Sequence, residues 1–289
     1  MVSFDPPQVY GIIGQPLGHS LSPMVHTTGF KSLGLDAVLV PWPLGPEKLP
    51  LFFEAFRLLN FQGACVTLPY KEAVLPFLDE ISDLARALGA VNLIYRQDGR
   101  RDGLICGDNT DVLGFLAPLK DRGLSPDTRV LLLGAGGAAR AAAMALKKLG
   151  LKDLTVCAPS DRRPTELARA FGLKAAPWDR RGEIPCELVV NATPLGLKGR
   201  AEDETPYAWF AGRPGLAYDL VYTPRTTRFL AEALAAGWET IDGLAMFLGQ
   251  AEAQFLTWTG RPLPPEAGRK AAEALEPASP ACQDMTGLI

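Results

Sequence analysis

Residues 128–140 read Thr-Arg-Val-Leu-Leu-Leu-Gly-Ala-Gly-Gly-Ala-Ala-Arg, and alanine-rich sequence continues from there to Gly150. Val130, Leu131, Leu132 and Leu133 form the short branched apolar run of a strand buried on both faces, as in a parallel sheet. The alanines that follow predict a helix. Between strand and helix, Gly134 permits a tight turn, Gly136 lets a diphosphate approach the backbone, and Ala139 is small enough for close helix packing. The free N–H groups and positive dipole end of the helix then face the phosphates. A glycine pattern alone is weak evidence, but a strand before it and a helix after it supply the context that a dinucleotide site needs. Gly134, Ala135, Gly136, Gly137 and Ala138 are therefore the candidate cofactor-binding loop.

At 289 residues the chain is long enough for two domains of ordinary size, and two lobes imply a cleft. An apolar content of 47% with 21% charged residues describes a folded rather than a disordered chain. The net charge of -3 and pI near 5.6 offer no basic footprint for nucleic acid. The N-terminal Met-Val-Ser-Phe-Asp-Pro-Pro lacks the pattern of a signal peptide, and no apolar run is long enough to span a bilayer, so no membrane partner and a cytoplasmic location are expected. The five cysteines, Cys65, Cys106, Cys157, Cys186 and Cys282, are scattered and never form a Cys-x-x-Cys pair, which argues against zinc sites and disulfide frameworks. They read as small buried apolar residues.

In chain order, a strand at 9–14 leads into Gly-Gln-Pro-Leu-Gly-His-Ser-Leu-Ser-Pro. Ser20 and Ser22 alternate, so in an extended stretch both hydroxyls point the same way and suit a carboxylate. Pro23 can open a helix with Ser22 as its N-cap; capping alone would also explain Ser22. His19 and His26 have no third ligand nearby in sequence, so an orienting role is expected and no metal site. A strand at 37–44, a helix at 46–60 with Leu49, Phe52, Phe53, Phe56 and Leu59 inward, and a strand at 63–68 give the βα alternation of a largely parallel sheet. Lys71 follows that third strand at the edge where open α/β sheets place ligands, although an exposed surface lysine is equally ordinary. A helical stretch is expected at 72–90, then a hairpin edge around Asp98-Gly99 and Asp102-Gly103. A helix opening near Asp111 and reaching Gly123 follows; Asp111 could simply compensate its dipole.

Taken together, the motifs resemble those of the shikimate dehydrogenase family over almost the whole chain. The matching segments are His-Ser-Leu-Ser-Pro at 19–23, Val-Thr-Leu-Pro-Tyr-Lys at 66–71, Gly-Ala-Val-Asn at 89–92 and Asn-Thr-Asp at 109–111. After the glycine loop come Asn-Ala-Thr-Pro at 191–194, Tyr-Asp-Leu-Val-Tyr at 218–222 with Pro224 and Thr227, and Gly243 with Met246 and Gln250. The resemblance implies an α/β fold of two domains. Residues 1–110 with 244–289 would form an open, mostly parallel substrate domain, and residues 111–243 a Rossmann-like doubly wound cofactor domain. It also implies reduction of 3-dehydroshikimate to shikimate, with Lys71 and Asp111 as the catalytic pair. Ser20 and Ser22 would hold the substrate carboxylate, while Thr67, Asn92, Tyr222 and Gln250 would meet ring hydroxyls or the reacting end. On the cofactor side it adds Arg163, Leu220 and Gly243, and has residues 191–194 close over the nucleotide. Reducing a carbonyl leaves an alkoxide that must gain a proton, so an amine beside it is chemically apt; desolvation and a nearby carboxylate pull an amine's proton affinity in opposite directions.

Two segments depart from the family pattern. Where NADP-dependent members carry Asn-Arg-Thr after the second cofactor-domain strand (154–157), this chain has Ala158-Pro159-Ser160. Arg163 matches a second family arginine, Arg162 is adjacent, and Asp161 is three positions beyond the strand-end alanine, so NADP is expected with NAD an alternative. Thr27 replaces the asparagine usual after His26 and is expected to alter packing. The remaining chain predicts a helix at 165–171, a short strand near Leu173, strands at 188–190 and 216–221, a mobile loop at 196–215, a helix at 244–259 returning Gln250 to the cleft, and a poorly ordered tail after Ala274. The rival readings are a quinate or quinate/shikimate dehydrogenase using NAD and, from another class, a catalytically inactive nucleotide-sensing protein. A small-molecule substrate and a monomer or homodimer complete the expectations.

Overall fold

A computed structural model describes residues 7–276 apart from 19, 60, 101, 161 and 211–213. The chain opens with β1 (Gln8–Gly14), α1 (Ser22–Ser32), β2 (Ala37–Pro43), α2 (Leu49–Leu58), β3 (Phe61–Val66), the two-residue β4 (Glu80–Ile81), α3 (Asp83–Leu88), β5 (Leu93–Arg96) and β6 (Ile105–Asp108). These strands form one sheet in the order β2-β1-β3-β5-β6-β4, parallel except where β5 runs against β3 and β6. After α4 (Asp111–Leu116) a second unit follows: β7 (Val130–Leu133), α5 (Gly137–Lys148), β8 (Leu154–Cys157), α6 (Arg162–Phe171), β9 (Lys174–Ala175), β10 (Leu188–Asn191), β11 (Leu216–Asp219), α7 (Arg228–Ala235) and β12 (Glu239–Ile241). Its sheet is wholly parallel in the order β12-β11-β10-β7-β8-β9. The order reverses at β7, so the crevice at the carboxyl ends of β7 and β10 is the ligand position of a doubly wound sheet. The chain ends with α8 (Gly243–Thr259) and α9 (Pro265–Leu275).

The apolar run at 130–133 decides this arrangement because all four residues are buried on alternate faces. Val130 and Leu132 join the core that contains Ala139, Ala142 and Leu146 of α5; Leu131 and Leu133 join the opposite core with Phe229 and Trp238. Alanines on α5 bring helix and sheet close, and hydrophobic burial on both faces holds the central strand. Gly134 then turns at φ +113°, where a side chain is strained, and a Cβ there would stand 2.6 Å from the carbonyl oxygen of Ala192. The turn between strand and helix therefore requires glycine.

Several local expectations need correction. Ser22 is not an N-cap: α1 starts at Ser22 itself, Leu21 precedes it with helical dihedrals, and no side chain caps the helix. The segment around Ser20 is consequently not a strand. Residues 72–90 are not one helix, because Pro76 lacks a donor and β4 pairs with β6; a 3-10 turn at Leu75–Phe77 precedes β4, and only α3 is α-helical, capped by Ser82, whose Oγ accepts from Ala85 N at 3.1 Å. β4 also lies outside β6, so the 97–103 hairpin is not at the sheet edge. Leu59 is exposed because α2 stops at Leu58 and the backbone turns extended. The helix opening at Asp111 stops at Leu116, with a single 3-10 turn through Pro118 after it. In the expected mobile loop, Tyr207 and Phe210 are buried, and Trp238 Nε1 donates to the Phe210 carbonyl at 2.8 Å. Asn60 and the tail beyond 276 lie outside the described residues, as does His19. Sequence reading missed α7, β12 and α9.

The helices that join the two sheets cross closely. A Cβ on Gly249 of α8 would meet Ala117 Cβ at 2.8 Å and Gly114 Cα of α4 at 3.0 Å. Absence of side chains at 114 and 249 lets the helices touch backbone to backbone, and Asp111 and Gln250 sit on these two helices. Gly249→Val should wedge them apart, lowering unfolding free energy by about 1–3 kcal/mol in urea titrations and reducing turnover; unchanged values for both would contradict this packing.

Candidate active site

Lys71 is carried past the end of β3 on a turn in which Tyr70 N donates to Thr67 O at 2.9 Å. Its own carbonyl accepts from Val91 N at 2.7 Å, which ties it to the 89–92 segment. Asp111 is the first residue of α4 and is set there by side chains: Asn109 Oδ1 accepts from Asp111 N at 2.9 Å, and Asn109 Nδ2 donates to Ala90 O at 3.0 Å. Asn92 Oδ1 accepts from Thr110 N at 2.7 Å. The Asn-Thr-Asp clustering thus has a structural cause, since polar side chains satisfy backbone groups at the strand-to-helix turn.

Lys71 Nζ lies 2.9 and 2.7 Å from the two oxygens of Asp111. Asn92 Nδ2 and Gln250 Nε2 donate to the same carboxylate at 2.9 and 2.8 Å. The Asp111 side chain is only 3% exposed, whereas Lys71 keeps 27%, so the amine faces the cleft with the carboxylate behind it. Four donor contacts offset the desolvation of that carboxylate.

The adjoining cavity of about 110 Å³ is lined by Ser20, Ser22, Thr67, Lys71, Asn92, Tyr222 and Gln250, together with Cys65, Phe247 and Gln254. It is much smaller than the roughly 300–1,000 Å³ of drug-sized sites, so its ligand is small. Ser20 and Ser22 converge, although by a helix start rather than by strand alternation; Ser22 N donates to Ser20 Oγ at 3.3 Å. Burial holds the Tyr222 phenol above its ordinary range, so it acts as a neutral hydroxyl. Thr27 Oγ1 accepts from Leu39 N at 3.1 Å, a packing contact with β2 rather than a cleft contact.

Sequence reading missed Gln254, which lies four residues after Gln250 on the same face of α8 and could have been found by that spacing. Gln254 Oε1 faces His26 Nε2 at 3.3 Å and accepts from Cys65 Sγ at 3.2 Å. His26 is fully buried and its pKa is driven down to about 4 by that burial, so it orients polar neighbours as a neutral ring. No metal-ligand cluster occurs among the described residues, and none of their helices is long and apolar enough to cross a membrane.

A larger cleft of about 560 Å³ is lined by Ala135, Gly136, Gly137, Arg140, Arg163 and Glu166, with Leu68 and Glu72 opposite. The residues present fit a dinucleotide. A Cβ on Gly136 or Gly137 would meet nothing within 4 Å, and no side chain caps α5, so its first N–H groups face open space. Gly134 and Ala138 shape the turn and helix start without lining the cleft. Leu220 and Gly243 pack together instead: a Cβ on Gly243 would stand 2.7 Å from Leu220 O, so α8 starts in backbone contact with the segment that follows β11. Ala158 is buried at the end of β8, Arg162 pairs with Glu166 at 2.7 Å, and Asp161 lies outside the described residues. Asn191 Nδ2 donates to Asp219 at 2.9 Å and Asn191 Oδ1 accepts from Thr193 N at 2.9 Å, which fixes the 191–194 turn beside Gly134.

A doubly wound sheet facing a small polar cleft across an amine–carboxylate pair defines a two-lobed α/β dehydrogenase. Comparison with known proteins makes this specific. Residues 12–94 match the family model for the shikimate dehydrogenase substrate binding domain, and residues 243–273 that for the shikimate 5'-dehydrogenase C-terminal domain. The shikimate dehydrogenase (NADP(+)) of Pelobacter propionicus is 53% identical over 272 residues, 93% of this chain and 97% of the relative. Shikimate 5-dehydrogenase from Thermus thermophilus, solved with NADP(H) and shikimate, is 39% identical with a TM-score of 0.83, covering 93% of this chain and 100% of that one. Quinate dehydrogenase from Corynebacterium glutamicum, solved with NAD, is 31% identical with a TM-score of 0.85, covering 94% and 100%. The chain belongs to the shikimate dehydrogenase family.

Asp219, which the 191–194 turn depends on, is buried and its pKa is pushed up to about 7 by desolvation, against bonds from Thr227, Val221 and Asn191 that favour the anion. The folded chain therefore holds a proton there that the unfolded chain releases near pH 4, and the stability this gives is full below about pH 4 and lost as pH rises through about 7. Denaturant titrations should show Asp219→Asn gaining on the wild type from pH 4 to 8, by up to about 4 kcal/mol. A pH-independent difference would refute a protonated Asp219.

Proposed function

We propose that this chain is an NADP-dependent shikimate dehydrogenase that reduces 3-dehydroshikimate to shikimate, in the route to chorismate and the aromatic amino acids, with Lys71 and Asp111 as its catalytic pair. The observation that carries the assignment of roles is the Lys71 amine, held at 2.7 Å by a buried carboxylate and facing a cavity of neutral hydroxyls and amides. When bound, the nicotinamide supplies the hydride in reduction and accepts it in oxidation. Lys71 donates the proton that converts the substrate carbonyl oxygen to a hydroxyl, and takes it back in the reverse direction. Asp111 keeps the ammonium positioned and balances its charge. Ser20 and Ser22 hold the ring carboxylate, and Thr67, Asn92, Tyr222 and Gln250 meet ring hydroxyls. Such a site discriminates strongly, because a missing hydroxyl leaves a buried donor unpaired.

Ala135, Gly136 and Gly137 would hold the cofactor diphosphate, with Gly134 and Ala138 shaping the loop and Leu220 and Gly243 closing the cofactor site where α8 starts, and Arg163 would hold the adenosine 2′-phosphate. We assign residues 1–110 and 244–289 to the substrate domain and 111–243 to the cofactor domain, with α4 and α8 as the two crossings. The described cysteines are all free thiols, which suits a reducing cytoplasm, and a monomer or homodimer is the working assembly. Ala158-Pro159-Ser160 and the likeness to an NAD-bound quinate dehydrogenase favour one second reading, a quinate or quinate/shikimate dehydrogenase using NAD.

Steady-state kinetics with shikimate and quinate, each with NADP and NAD, separates the readings. The proposal expects the highest kcat/KM for shikimate with NADP; a preference for quinate with NAD installs the alternative, and absence of turnover in all four favours a nucleotide-sensing protein. Lys71→Ala should lower kcat by at least roughly a hundredfold with little change in substrate binding. Near wild-type turnover in that variant would remove Lys71 from the chemistry.

A further inference from the structure

Arg140 is four residues beyond Gly136 on α5 and forms part of the wall of the larger cleft. A half-buried guanidinium ordinarily finds a carboxylate or a carbonyl. This one does not. Among the described residues its buried Nε has no hydrogen-bond partner and no ion pair joins it. Arg162, next to Arg163 of the same wall, is by contrast neutralised by Glu166 at 2.7 Å.

The location makes the lack of a partner costly. The first turn of α5 carries the positive end of the helix dipole, where a cation is repelled and an anion is favoured. Beside it, the space above Gly136 and Gly137 is open. On the other side, Arg140 Nη2 stands 3.8 Å from the position a Cβ would take on Gly89, the residue that ends α3 and begins the 89–92 segment leading to Asn92. Arg140 therefore sits at the boundary between the two sheets' units, with unused donors at a cleft whose near wall also offers the backbone N–H groups of α5 and the Arg163 side chain. Glu72, on the far wall, would press an anion toward α5.

We propose that Arg140 grips the cofactor diphosphate, supplying charge-assisted donors beside the Gly136–Gly137 backbone and bringing that anion against the Gly89 turn. This rests on the reading of the chain as a dinucleotide-dependent dehydrogenase and adds a phosphate-binding residue to it. The role is separate from that of Arg163, assigned above to the 2′-phosphate. A guanidinium suits it better than an ammonium, because two parallel donors can meet two phosphate oxygens.

The test is direct binding, measured by calorimetry on the full chain with NADPH, 2′-phospho-ADP-ribose and adenosine 2′-monophosphate. The last of these has the 2′-phosphate but no diphosphate. Arg140→Met should weaken NADPH and 2′-phospho-ADP-ribose by at least about tenfold, leave adenosine 2′-monophosphate within about twofold, and flatten the salt dependence of NADPH binding; Arg140→Lys should recover part of the loss. Arg163→Met should give a different fragment pattern, weakening all three. The proposal is overturned if NADPH binds folded Arg140→Met within about threefold of wild type, or if adenosine 2′-monophosphate is lost equally, the mark of general damage. If Arg140→Met does not fold, Arg140→Gln carries the same outcomes, since it keeps a polar stem but neither the charge nor the fork. A wild-type chain that binds NADPH through Arg140 yet oxidises neither shikimate nor quinate would sink the functional reading and leave this one standing.

Discussion

The Asp111 carboxylate is almost completely withdrawn from water, and each group that compensates it comes from a different part of the chain. Lys71 arrives from the turn after β3, Asn92 from the start of β5, and Gln250 from α8, while Asp111 itself begins α4. A buried carboxylate stripped of partners costs several kcal/mol, so the four segments are held in the one arrangement that satisfies it. The same donors that stabilise the carboxylate are aimed by it. Lys71 presents its amine to the cavity because Asp111 fixes the far side, and Asn92 cannot rotate because its oxygen accepts from Thr110 N while its nitrogen donates to Asp111.

That arrangement extends to the boundary between the two sheets through α4 and α8, which meet at Gly114 and Gly249 with almost no side chain between them. Contact this close makes the pair move as one body, and it carries one residue of the carboxylate cluster on each helix. At the start of α8, Gly243 passes the carbonyls of Leu220 and Val221 at a separation no other residue permits, so the end of β11 is fastened to the same helix. The Gly134 turn is similarly pressed against Ala192. Positions that bear no side chain thus set the distance between the cofactor cleft and the substrate cavity.

The second sheet was largely legible in the sequence because its central strands are buried on both faces and read as continuous apolar runs; the 130–133 and 154–157 strands agree with the structure to the residue. Residues 72–90 misled because apolar periodicity does not reveal a two-residue strand that exists only through pairing with β6. Ser22 misled for another reason. Serine before proline is a favoured cap, but here the preceding Leu21 already has helical dihedrals, and Ser22 turns into the cavity. Ser20 and Ser22 line one cavity, though on a different geometry from the extended alternation expected. Tyr207 and Phe210 sit in a segment rich in turn formers, and their burial depends on a gap beside Trp238 that only the folded chain creates. Arg140 stood in the stretch that decided the fold, yet nothing in sequence says that a guanidinium will lack a partner among the described residues.

His26 shows how far the polar network reaches behind the cavity. Gln254 Nε2 donates to Asn92 O at 3.3 Å, so its oxygen is the atom turned toward His26 Nε2 and Cys65. That oxygen can only accept, which places the imidazole proton on Nε2 and leaves Nδ1 as a lone pair; Nδ1 is buried with no hydrogen-bond partner. Protonating the ring would create a buried donor with nothing to receive it, in addition to the desolvation that already lowers its pKa to about 4. Because the unfolded ring takes up a proton near pH 6.5 and the folded one only near 4, this histidine opposes folding as pH falls through that window. The sign is opposite to that of Asp219. At neutral pH the ring is uncharged, and its single usable proton orients Gln254, which in turn braces the backbone of Asn92 against the carboxylate at the centre of the site.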